Sequence, residues 1–200
     1  MKKLKFNKKL LHLNSRGASA VEFALIAPIM IIMLFGATEL SQGVSVDRKV
    51  TQAASTVADL VAQYEEVDCP TLNAIFAVTR SVFQPFSNEA NAASISVASV
   101  ALNGGAAKVE WSRTVDNLGN CTTSTSLPIG MTIAIPNLTT GGSTGLVNTN
   151  RAVVMGVIDL NYTSLGTSFF PSTFNMREEY FLNPRMSNKV CLDGVSTPGC

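Results

Sequence analysis

Between Ala18 and Ala37 the chain is apolar or small at nearly every position, and a single carboxylate, Glu22, interrupts it. No other feature limits the fold as much, because roughly twenty such residues wound into a helix match the hydrocarbon thickness of a bilayer. Six cations precede the run (Lys2, Lys3, Lys5, Lys8, Lys9 and Arg16) with no acid among them. A basic leader of this kind holds its end of a span in the cytoplasm. Nothing after Thr38 sustains a comparable run, so the expectation is one crossing, N-terminus in, with the rest of the chain exported.

Charge supports this division. Charged residues make up 14% of the 200 residues, below the ~25% of ordinary soluble domains. After Gly17 there are nine Lys or Arg against fourteen Asp or Glu. A nucleic-acid binder keeps its basic patch on the folded body, and an acidic body excludes that class. All four cysteines, Cys69, Cys121, Cys191 and Cys200, lie beyond the span. An even count in an exported segment predicts two disulfides, with three connectivities open. The only histidine, His12, is in the leader, and a zinc site would need all four scattered thiolates, so no metal and no cofactor is expected.

Beyond the span, Val46, Val50, Ala53, Val57, Leu60, Val61 and Tyr64 recur at helical spacing and predict an amphipathic continuation over residues 39–64. A break or bend is expected near Pro28 or Gly43. A second helix is predicted after Asp68, which caps it, with Pro70 at an early position and Leu72, Ile75, Phe76, Val82, Phe83 and Phe86 as its buried stripe. From Ala92 the period changes to two. Strands are predicted at 93–102, 106–113, 131–137, 151–164 and 176–183, separated by glycine-rich turns. Helices followed by strands give an α+β fold with a mostly antiparallel sheet. The predicted organisation is a leader over 1–17, a transmembrane helix over 18–38, the helical extension over 39–64 and an exported domain over 65–200.

Glu22 distinguishes the span from a plain anchor, since a carboxylate in lipid is costly without a partner. The order Gly17, Ala18, Ser19, Ala20, Val21, Glu22, Phe23 resembles a type IV prepilin processing site, in which a peptidase cuts after the glycine. The longer stretch, with Ala20, Val21, Glu22, Phe23, Ala24, Leu25 and Pro28, resembles the TadE-like family of pseudopilin-like proteins of tight-adherence (Tad, Flp-type) pili. The segment from Tyr180 to Cys191 also resembles tails of that family. The resemblance implies a single-pass protein of the bacterial inner membrane with a periplasmic or extracellular domain. Its implied partners are pilus assembly proteins, a pilin or another pseudopilin, and the prepilin peptidase where processing occurs. It implies Gly17, Ala18, Glu22 and Phe23 as the processing site, and Glu22 and Pro28 as helix-packing residues. In such packing, Glu22 of one subunit pairs with the freed amine of Ala18 in the next.

Other classes fit less well. The exported part has no histidine to serve a Ser or Cys nucleophile. Glu178 and Glu179 are the remaining acid–base candidates, but adjacent strand residues face opposite sides. Residues 139–145 lack the lysine of a phosphate-binding loop. Ala18-Ser19-Ala20 precedes the apolar run, where signal peptidase does not cut. A relative of the TadG type would need a metal-binding motif and a larger body. The expectation is therefore a protein that is not an enzyme, the alternatives being an uncleaved, membrane-anchored domain with a structural or binding role or an exported carboxylate-dependent enzyme.

Overall fold

The computed structural model describes residues 15–86, 92–115, 121–135, 151–163, 173–196 and 200. The chain divides into two compact units, Met1–Gln42 and Gly43–Cys200. Helix α1 (Ser15–Val61) supplies the described part of the first unit and opens the second, and it runs unbroken through both Pro28 and Gly43. The expected break at those residues is therefore absent. A proline ring removes one N–H from the ladder, yet the helix continues because the turns on either side keep theirs.

In the second unit, β1 (Glu66–Val67) and α2 (Cys69–Ser81) precede β2 (Ser94–Asn103), β3 (Ala106–Val115), β4 (Cys121–Thr122), β5 (Val153–Thr163), β6 (Thr173–Leu182) and β7 (Cys191–Leu192). Five strands form one antiparallel sheet in the order β4-β3-β2-β5-β6, and β1 pairs in parallel with β7. The predicted α+β class and antiparallel sheet are borne out. The predicted strand over 131–137 is not. In its described part only Thr132 makes a bridge, to Lys108, and the edge strand on that side is the two-residue β4. Residues 136 and 137 lie outside the described residues.

Local chemistry explains the joints. Asp68 caps α2, its carboxylate accepting from the Thr71 backbone N–H at 2.9 Å, with Pro70 in the first turn, where a missing N–H costs nothing. The β2–β3 hairpin turns at Gly104 and Gly105, whose φ angles of 64° and 82° fit the mirror-image turn that matches strand twist.

The sheet is covered on both faces. On one, Val46, Val50, Ala53, Val57 and Val61 of α1 and Leu72 and Phe76 of α2 pack with Ile95, Val97, Trp111, Ile158 and Leu160. On the other, Leu127, Ile133 and Ile135 cover Ala98, Val100, Val109, Met155 and Val157. The closest approach is at Gly156 in β5. A Cβ there would meet the Ala54 carbonyl oxygen at 2.6 Å and Val57 Cγ1 at 2.7 Å.

Residues 183–192 close the structure. The Arg185 N–H donates to the Ala62 carbonyl (2.9 Å) just past the end of α1, and the Arg185 guanidinium pairs with Asp59. The indole of Trp111, fully buried, donates to the Val190 carbonyl at 2.8 Å. Lys189 pairs with Glu110 at 3.0 Å. Two disulfides, Cys69–Cys121 and Cys191–Cys200, tie α2 to β4 and β7 to the segment after it.

Three stability outcomes are expected, read by denaturant unfolding of the intact chain in detergent with Trp111 fluorescence. Gly156→Ala should cost about 1–3 kcal/mol, because the clash is with backbone that cannot give way. Gly43→Ala, where a side chain meets open space within a helix, should gain about 0.5–1 kcal/mol. Replacing Cys69 and Cys121 by Ser, which opens a separation of 52 residues, should cost about 4 kcal/mol, against about 2.5 kcal/mol for the Cys191–Cys200 pair, separated by 9.

A pH dependence follows from the cap. Hydrogen bonds from the Thr71 side chain and backbone hold the Asp68 carboxyl below its usual range. Its folded pKa lies under its unfolded value, so its stabilisation is complete above about pH 4 and is lost as pH falls through the folded pKa. Asp68→Asn should flatten the acid limb of a stability–pH curve by lowering the neutral region, where the charged cap contributes fully, and leave the acid end little changed.

Candidate helix-packing and processing site

Gly17, Ala18, Glu22, Phe23 and Pro28 all fall within α1, in the first unit. At 100° per residue, Ala18 and Glu22 share a face one turn apart, whereas Phe23 and Gly17 point elsewhere. Leu25, Ile26, Ile29, Met33 and Leu40 flank the Glu22 line along the helix. Leu25, Met33 and Leu40 are 71%, 69% and 71% exposed. The apolar part of α1 reaches a mean hydropathy of 2.3, and none of that window is buried against the chain. Among the described residues, one helix is therefore long and apolar enough to cross a membrane. Its side chains need lipid or another polypeptide as their surroundings.

Pro28 adds a second uncompensated group. A proline inside a helix cannot donate to the carbonyl four residues earlier, here that of Ala24. Glu22 and the Ala24 carbonyl are thus two acceptors close together in an otherwise apolar stretch, suited to donors from a neighbouring helix. Gly17 is surrounded by open space, with nothing within 4 Å of a would-be Cβ. No described residue therefore requires glycine at that position.

Of the remaining candidates, the cysteines and Glu179 have bonded or ion-paired partners. All four cysteines are bonded, with Cα–Cα separations of 5.7 Å in both bridges, so no thiolate is left for zinc. Glu179 lies 2.9 Å from Arg177, which also pairs with Asp159 on β5 at 2.9 Å. Burial opposes the charge on Arg177, but the hydrogen bond to Glu179 and the Asp159 carboxylate outweigh it and raise its pKa. Glu178 sits opposite Ile158, on the helix-covered side of the sheet. The adjacent carboxylates do face opposite ways and share no site.

Sequence reasoning missed two elements of this arrangement. One is Gly156, whose only signal is a glycine within an apolar strand, a sign of close backbone approach. The other is the role of the 183–192 segment, whose resemblance to family tails and whose Cys191 carry no sign of the contacts it makes with α1 and Trp111.

Comparison with protein families matches residues 17–59 to the TadE-like protein family model. Neither a curated protein nor a solved structure matches the chain. The match begins at Gly17 and ends at Asp59, thereby including Glu22, Pro28 and nearly all of the helix that packs on the sheet. Over this segment the chain is similar to TadE-like proteins.

Proposed function

We propose that this chain is a pseudopilin-like component in the assembly of a tight-adherence pilus. Helix α1 anchors it in the bacterial inner membrane with the basic leader in the cytoplasm, and the disulfide-bonded α+β body lies on the periplasmic or outer side. It works by helix packing and protein contacts, without catalysis. The observation that carries this reading is the exposed apolar face of α1 bearing Glu22, within the TadE-like segment. Freed by cleavage after Gly17, the Ala18 amine of one subunit would neutralise Glu22 of the next in a low-dielectric setting, where either charge alone is expensive. Pilin, another pseudopilin and further pilus assembly proteins are its proposed partners, with the prepilin peptidase acting on the leader.

One observation favours a second reading, an uncleaved anchor. Gly17 already lies inside α1, which begins at Ser15, whereas a peptidase grips an extended strand more readily than a helix. Intact mass separates the two. Co-expression with a prepilin peptidase should yield a chain beginning at Ala18, and Gly17→Leu should keep the leader while the body folds normally. A mature chain that starts at Met1 with the peptidase present supports the uncleaved anchor. Glu22→Ala should leave membrane insertion intact yet reduce co-purification with pilus proteins severalfold, and unchanged assembly would refute the pairing.

A further inference from the structure

The sheet ends on β6, and among the described residues β6 pairs with β5 alone, over ten consecutive positions from Thr173 to Leu182 without a register shift. Its outer edge presents the alternate N–H and C=O groups of a full-length strand, with neither a proline nor a bulge to blunt it. On the helix-covered side the strand displays Phe174, Met176, Glu178, Tyr180 and Leu182. Phe174 is 54% and Tyr180 41% exposed. Beside this row, between β6 and α1, runs a groove of about 420 Å³ lined by Ser55, Thr56, Leu60, Tyr180, Leu182 and the Asp59–Arg185 pair.

Charge says what belongs there. Arg177 and Glu179, on the other side of the strand, are engaged with each other and with Asp159. Glu178 is the one charge in the groove-side row and has no ion pair or hydrogen bond among the described residues, although it is half-buried. A second copy of β6 is a poor occupant. In the register centred on Glu178, Arg177 and Glu179 face each other across the seam but are already paired within their own strand, and the half-buried carboxylate meets its duplicate; registers centred on Arg177 or Glu179 set like charges opposite and give Glu178 no cation. A different strand with a cation in the groove-side row meets no such conflict.

We infer that β6 is a docking edge for an extended segment of another polypeptide, which adds to the sheet as a further strand and sets a lysine or arginine opposite Glu178 with apolar residues on either side. Backbone hydrogen bonds supply the affinity, and Glu178 selects among sequences. This inference goes beyond the pilus reading and does not rest on it, since it concerns only the second unit.

The test uses the full chain in detergent micelles and a blocked synthetic peptide of alternating threonine and valine with one central lysine in the valine row. A counterpart carries glutamate in place of that lysine. The lysine peptide should slow amide hydrogen exchange along Thr173–Leu182 and bind about fivefold more tightly than its counterpart, the scale of a cross-strand charge pair. Glu178→Lys should reverse the preference, and Glu178→Gln should abolish it while retaining binding. Equal binding of the two peptides to the wild-type chain, or no protection of β6 by either, overturns the inference. So does protection that arises without peptide and follows sedimentation as a dimer, which would assign the edge to a second copy.

Discussion

The contact between α1 and β5 at Gly156 governs the second unit. Any side chain there would collide with the helix backbone at Ala54, so the helix could not lie as close to the sheet. The small residues Ala54 and Ala58 complete the close approach. Given it, Val50, Val57 and Val61 reach the sheet and become fully buried. The same approach places Asp59 and the Ala62 carbonyl where Arg185 binds both. Dispersion contacts weaken steeply with separation. A displacement of even an ångström would loosen the whole helix-covered layer.

α1 works in two surroundings along one continuous helix. Its first part is apolar on all sides and exposed; beyond Gly43 the apolar residues narrow to a stripe that the sheet and α2 bury. The lysine on the polar side of that second part, Lys49, reaches across to the Val82 carbonyl at 2.8 Å and fastens the region after α2 to α1. The same secondary structure thus serves two packing regimes, and the change in side-chain pattern marks the transition.

That pattern is what made much of the fold legible. Val46, Val50, Ala53, Val57 and Val61 were readable as a buried face because helical periodicity is local, and the Asp68 cap with Pro70 is equally local. Tyr64 was read onto the same face but lies past the end of α1, where periodicity no longer applies, and is 42% exposed. The strand expected over 131–137 has the right composition, yet in its described part it is reduced to one bridge and two backbone hydrogen bonds along β3, while Ile133 and Ile135 cover the second face of the sheet. Disulfide connectivity was not readable, since it depends on which elements the fold brings together. For the candidate site, Glu22 and Pro28 stand out because they violate the composition around them, whereas no described part of the chain buries the apolar window around them.

The ion pair between Asp59 and Arg185 spans 126 residues, and the order in which a ribosome makes a chain gives that interval a meaning. α1 emerges early with its buried stripe uncovered. β5 and the 183–192 segment, which shield it, emerge much later. Throughout that period the helix is a sticky amphipathic surface without its cover, and native structure in the second unit must wait until synthesis has passed Leu192. A ribosome stalled or a chain clipped between Val61 and Ala152 would release a helix with nothing to sit on, a natural target for chaperones and quality-control proteases.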